Sequence, residues 1–332
     1  MKAYSATLII LALVAASTGA CNQSVGPEAC APSFQLVFSA RGPHTLQGLY
    51  TLDATGTGIK RLTPDSMTVS PRYSCSPDGQ WILFAAFANQ SSDIWKINRT
   101  TRLVTRVVAD PAVDDSPEWL HDGSGFVFRS NRSGRYSIWM CDANGLNQRQ
   151  IIPDTQYTSW PRSSPRLPMI AFSYAWRTIV VLDYQRNLQI PVTPDSLDPH
   201  SNFFAWSPSG DKLAFEVSRD LYVWDLISSL RRYWTDNNHI FNPIWSPDGQ
   251  QIAFNAFDTL KVLNLSSRAV RPLMSGMAYA GRSSWSPDGS TIAVEALNPP
   301  WILLVAADGG SVKAVPVGEN VAVHPQWINA VW

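Results

Sequence analysis

From residue 34 onward the chain is built of short apolar runs, each closed by turn residues. Leu213-Ala214-Phe215 and Ile252-Ala253-Phe254 show the pattern, whose length and spacing predict strands rather than helices. The same punctuation introduces each run. Trp206-Ser207-Pro208-Ser209-Gly210, Trp245-Ser246-Pro247-Asp248-Gly249 and Trp285-Ser286-Pro287-Asp288-Gly289 are near-identical. Cys75-Ser76-Pro77-Asp78-Gly79 and Trp119-Leu120-His121-Asp122-Gly123 are altered copies, and Ser163-Ser164-Pro165-Arg166-Leu167 keeps only the position. With the first residue as anchor, the positions are 75, 119, 163, 206, 245 and 285, separated by 44, 44, 43, 39 and 40 residues. Nine residues after each anchor stands Phe84, Phe128, Phe172, Phe215, Phe254 or Val294.

Proline presets φ, Asp bonds its own backbone and Gly accepts positive φ, so the phrase predicts a hairpin between a first and a second strand. A third strand follows at Ile94-Trp95, Ile138-Trp139, Tyr222-Val223-Trp224 or Trp301-Ile302. A fourth ends at Arg61-Leu62-Thr63-Pro64, Ile152-Pro153-Asp154 or Val192-Thr193-Pro194. Four strands repeating near this period predict an all-β propeller. Residues 34–63 hold a second, third and fourth strand without a first, while Pro325-Gln326-Trp327 repeats the approach to an anchor 42 residues beyond Trp285. The expectation is seven four-stranded blades, with the C-terminal strand completing the N-terminal blade; six blades with a stray terminal strand is the alternative. Burying each anchor Trp between blades removes about 150–250 Å² from water, worth about 4–6 kcal/mol as an upper bound. These tryptophans are therefore read as packing residues rather than ligand-stacking ones.

The phrase resembles the WD-like repeats of TolB-family propellers, which also occur in the propellers of prolyl-oligopeptidase-type peptidases. The resemblance covers about residues 34–332 and implies the fold without specifying a function. TolB proper has an α/β domain before its propeller, where this sequence shows only a short linker. The peptidases add a hydrolase domain, and no Gly-x-Ser-x-Gly elbow occurs here.

Composition narrows the partners. Lys+Arg and Asp+Glu both total 26, so no net charge suggests nucleic-acid binding. Charged residues make up only 16%, and 14 Trp with 24 Pro suit a turn-rich β protein. Lys2, the apolar stretch Thr7 to Ala16 and Ser17-Thr18-Gly19-Ala20 before Cys21 read as a signal peptide over residues 1–20. An apolar stretch this short is not a membrane span. The small residues before Cys21 resemble a bacterial lipobox with Thr18 in place of the usual Leu, which implies lipidation at Cys21 and a tether over residues 21–33. Cleavage after Ala20 to give a soluble exported protein is the alternative. Asn22 implies, on family analogy, an outer-membrane destination in a Gram-negative host. Cys30, Cys75 and Cys141 permit a disulfide of unspecified connectivity in an exported compartment.

Candidate chemistry is sought just before the anchors, where a propeller's channel opens. Six residues before, the ring reads Val69, Val113, Tyr157, His200, His239, Tyr279 and Val321; three before, Arg72, Ser116, Trp160, Phe203, Asn242, Arg282 and His324. Arg72, Tyr157, Trp160, His200, His239, Arg282 and His324 are the candidate ligand-binding residues. Paired imidazoles suit a transition metal and clustered guanidinium groups suit a carboxylate or phosphate, but the absence of a His-x-His spacing argues against committing to a metal. Asp65, Asp110, Asp154 and Asp195 recur beside turns and are read as turn residues rather than a glycosidase pair. Gly56-Thr57-Gly58 is read as a hairpin turn. The functional expectation is a monomeric, lipid-tethered scaffold of the bacterial envelope that presents one loop face to a protein or peptide, with no catalytic residue and no cofactor. A polysaccharide lyase or hydrolase working at the propeller mouth is the alternative.

Overall fold

The computed structural model describes residues 34–41, 46–88, 91–153, 158–174, 178–193, 203–217, 219–235, 240–276, 280–297, 300–317 and 320–328. Residues 1–33, for which the sequence predicts a signal peptide, a lipidated Cys21 and a tether containing Cys30, lie outside them. The strands form seven four-stranded antiparallel sheets. Six take consecutive strands in chain order; the seventh takes Asn320–Ile328 as its first strand, followed by Gln35–Arg41, Gln47–Asp53 and Lys60–Arg61. The propeller thus has seven blades closed by a composite one, and the six-bladed alternative is excluded. We number the composite blade 1 and the others 2 to 7 along the chain.

The repeated phrase builds the turn expected of it. In blade 7 the Ser286 Oγ donates to Asp288 Oδ1 at 2.6 Å and accepts from the Thr291 N–H at 2.9 Å. Gly289 sits at φ 72°, where a Cβ would be strained. Blades 2 and 6 repeat this with Ser76 and Ser246, and in blade 5 Asp211 takes the role of the missing Asp.

The core consists of seven apolar wedges, each shared by two adjacent blades. Trp285 packs with Ala253, Leu260 and Val262 of the preceding blade and with Ile292, Val294 and Leu303 of its own. Trp119, Trp206, Trp245 and Trp327 occupy the corresponding wedges. The indole N–H of Trp206 donates to Arg162 O and that of Trp245 to Ala205 O, both at 3.0 Å across the blade boundary. Packing between blades is therefore the work of these residues.

Closure uses the same parts. Leu36 pairs with Trp327 and Val37 with Gln326, while Trp327 packs on Ile302 and Leu304 of blade 7. The buried Tyr73 hydroxyl of blade 2 lies against the carbonyls of both closing strands, Val37 O at 2.6 Å and His324 O.

One local expectation shifts. The fourth strands stop earlier than the apolar pattern implies, at Lys60–Arg61, Arg149–Gln150 and Leu188–Pro191. Leu62, Ile152 and Val192 instead plug the blade after the strand has ended, and Thr63 and Thr193 Oγ1 accept the Leu49 and Ile179 N–H groups at 3.2 and 3.0 Å. Cys141 lies within the strand Ser137–Asp142. Cys75 and Cys141 are free thiols, and burial pushes Cys75 up to about 12. Asp65 pairs with Arg61 at 3.1 Å and Asp110 accepts the Ala112 N–H at 2.9 Å, whereas Asp154 and Asp195 lie outside the described residues. Gly56 and Gly58 form the expected hairpin, with Asp53 Oδ1 accepting the Thr55 and Thr57 N–H groups at 3.1 and 2.8 Å.

If Trp327 completes the ring, Trp327→Ala should lower the unfolding free energy by about 3–5 kcal/mol, as Trp285→Ala should. Chemical denaturation of both variants checks this; a loss under 1 kcal/mol at Trp327 alone would contradict the closure.

Candidate functional site

Most of the innermost strands break register just before the anchor. The ladder shifts between Val69 and Tyr73, Asp115 and Glu118, Phe241 and Ile244, and Ala280 and Ser283, with a corresponding irregularity in Asn320–Ile328. Ser116, Asn242 and His324 sit at equivalent places with φ 52°, 53° and 60°. Pro117, Pro243 and Pro325 follow them, at positions where a bulged inner edge needs no ladder donor. A bulge bends the strand and re-aims a side chain, here toward the ring axis.

The product is a cavity of about 340 Å³ on that axis, lined by the innermost strands of all seven blades. Every residue three before an anchor lines it: Arg72, Ser116, Trp160, Phe203, Asn242, Arg282 and His324. Four of the candidate residues, Arg72, Trp160, Arg282 and His324, therefore share one chamber. Tyr157, His200 and His239 lie outside the described residues. Among the described residues no group of three His, Cys, Asp or Glu side chains is placed to hold a metal ion.

The Arg72 guanidinium stacks on Trp160 at 3.5 Å from the ring centre, joining blades 2 and 4 across the channel. Arg129, on the second strand of blade 3, is held by Asp115 at 2.8 and 2.6 Å and approaches the other aromatic groups Tyr136 and Trp160 at 4.1 and 5.8 Å. Arg162 pairs with Glu118 at 3.6 Å between blades 4 and 3. The buried Glu295 accepts the backbone N–H groups of Arg282 at 3.1 Å and His324 at 3.3 Å, fixing two bulges with one carboxylate. Gly281 makes this possible, since a Cβ there would lie 2.3 Å from Glu295 Cδ.

Charge in the chamber is poorly compensated. Burial, reinforced by Arg162 and Arg129, lowers Arg72 to about 9. Burial and then Arg162 and Arg72 lower Arg282 well below the usual arginine range. Burial raises both Glu118 and Glu295. Burial followed by repulsion from Arg282, Arg72 and Arg162 holds His324 far below the usual imidazole range, so it is neutral.

Glu118, Arg162, Ser284 and Glu295 were not among the sequence candidates. The first three stand one residue before an anchor, and period-2 alternation from the residue three before would have placed them on the same side. Glu295 reaches the site from a second strand, and no local pattern marks it.

Residues 49–198 match the family described as TolB beta propeller domain. An uncharacterised protein of Agrobacterium fabrum is 28% identical over 183 residues, covering 50% of this chain and 60% of that protein's length. Among solved structures, TolB from Acinetobacter baumannii has a TM-score of 0.58 at 16% identity, covering 88% of this chain and 66% of that one. An oligogalacturonate lyase in complex with manganese has a TM-score of 0.61 at 14% identity, covering 86% and 85%. At such identities the structural likeness is one of fold. The domain is a seven-bladed β-propeller that resembles the TolB beta propeller domain over residues 49–198.

Neutral His324 carries a pH signature. The unfolded imidazole takes up a proton below about pH 6.5 and the folded one does not, so this group makes stability fall as pH drops from 7 to 5, by up to about 1.4 kcal/mol per unit. Glu118 and Glu295, raised in the fold, act in the opposite sense as pH falls toward the ordinary glutamate range. His324→Asn keeps a residue suited to positive φ and should show a smaller drop in Tm between pH 7 and 5 than the parent. Equal drops would show that His324 is not held neutral.

Proposed function

We propose that the protein is a non-enzymatic binding scaffold of the bacterial cell envelope, presenting its central channel to a protein or peptide partner. One observation carries this reading: seven inner strands, five of them bulged, converge on a single chamber whose cationic and aromatic side chains are preset before any ligand arrives. Positive-φ backbone, the following prolines and the Glu295 carboxylate hold that wall in place, so binding orders little that is not already ordered. The N-terminal sequence supports export and attachment through a lipidated Cys21, which would set the ring close to a membrane surface. Several acyl chains would make such attachment durable.

The enzymatic reading draws on the likeness to the lyase in complex with manganese, and would place its machinery at the histidine-bearing mouth. It requires His200→Ala and His239→Ala to abolish a glycan-cleaving activity.

Crosslinking with mass spectrometry in intact envelopes should recover a specific protein partner, with crosslinks near the ends of the innermost strands. Cys21→Ser should move the protein from the membrane to the soluble exported fraction. Cleavage of a glycan without any captured partner would reverse the functional assignment.

A further inference from the structure

The chamber is chemically two-sided. Toward blades 4, 5 and 6 it presents Trp160, Pro161, Phe203, Phe204, Pro243 and Ile244. There the indole donors of Trp206 and Trp245 are satisfied by backbone carbonyls. Toward blades 7, 1 and 2 it presents Arg282, His324 and Arg72.

On that second side most of the lining groups without partners gather, Ser163 Oγ of blade 4 being a further one on the first side. Ser283 Oγ, Ser284 Oγ, His324 Nδ1 and the indole nitrogens of Trp285 and Trp327 are buried without a hydrogen-bond partner among the described residues, and all five residues line the chamber. The Arg282 guanidinium makes no hydrogen bond or ion pair among the described residues, and Arg72 has only the face of Trp160. The nearby carboxylates are committed elsewhere: Glu118 to Arg162, Asp115 to Arg129, and Glu295 to two backbone N–H groups. Three lining arginines therefore face one lining glutamate. Buried polar groups without partners are costly, and so many on one wall mark a place prepared for something that pairs with them.

We propose that the channel binds an amphipathic carboxylate, its anionic group held by Arg72 and Arg282 with the serine donors, and its apolar body against Trp160 and Phe203. Guanidinium forks match a carboxylate in two-point fashion, and the aromatic wall sets such a ligand apart from a bare inorganic anion. The volume suits a group of a few residues or fewer, as in the C-terminal end of a peptide. The inference rests on the scaffold reading and deepens it by naming the group the partner inserts.

The full-length protein should be titrated with N-acetyl-phenylalanine and with its amide by calorimetry or NMR. Inorganic phosphate tests the bare anion, and a peptide ending in Phe, as free acid and as amide, distinguishes a chain terminus from a small acid. The free acids should bind at least about tenfold more tightly than the amides, and both phosphate and the Arg282→Gln variant should show a similar loss. Arg72→Gln, with circular dichroism to confirm folding of both variants, guards against simple misfolding. Equal binding of acid and amide, or phosphate binding as well as the aromatic acid, would overturn the inference. An envelope partner captured equally by parent and Arg282→Gln would also overturn it while leaving the scaffold reading intact. Acid-selective binding with no envelope partner would sustain it and sink the scaffold reading.

Discussion

The apolar wedge between neighbouring blades is the contact on which the rest of the molecule depends. Each four-stranded sheet has two faces to cover, and no single blade can bury them alone. Seven clusters, each drawn from two blades, solve the problem by making every blade a lid for the next. Such an arrangement has to close, because an open ring would leave one wedge half exposed. Trp327 and Leu36 supply that closure, with Tyr73 reaching from the following blade to the carbonyls on both sides of the seam.

The same constraint creates the channel. An anchor such as Trp285 turns outward into its wedge, while three residues earlier the bulge turns Arg282 toward the axis. One short strand thus serves packing and presentation at once, and the rigidity required by the first task is inherited by the second. The packing positions stay apolar in every blade but blade 4, where Ser163 holds the anchor place, whereas the inward position ranges over Arg, Ser, Trp, Phe, Asn and His. The chamber's polarity therefore follows blade order: aromatic groups at blades 4 and 5, basic groups at blades 7, 1 and 2. Neutral His324 between arginines and the strained backbone at that position are the costs of holding such groups in a dry wall.

Much of this was legible in the chain. The period of the Ser-Pro-Asp-Gly phrase gave the blade count, Pro325-Gln326-Trp327 identified the closing strand, and alignment on the anchors placed Arg72, Trp160, Arg282 and His324 at equivalent positions. Those signals are local and periodic. The early ends of the fourth strands escaped because Leu62 and Val192 keep their apolar character while leaving the ladder, and Thr63 and Thr193 replace a backbone donor's partner with a hydroxyl. Glu295 escaped because its partners lie 13 and 29 residues away in sequence. The gathering of most unpartnered lining groups on one wall is a property of three-dimensional placement, and no residue pattern encodes it.

The central claim is that function resides in the channel built by the bulged inner strands. Hydrogen–deuterium exchange on the full-length protein, free and crosslinked to a partner captured from intact envelopes, tests this most directly. The inner edge of each first strand has amides outside the sheet ladder, so they are sensitive to what fills the channel. Slowed exchange concentrated in residues 72–75, 160–163, 282–285 and 324–327 is the result this account predicts. Protection confined to the outermost strands, with those segments unchanged, would contradict it.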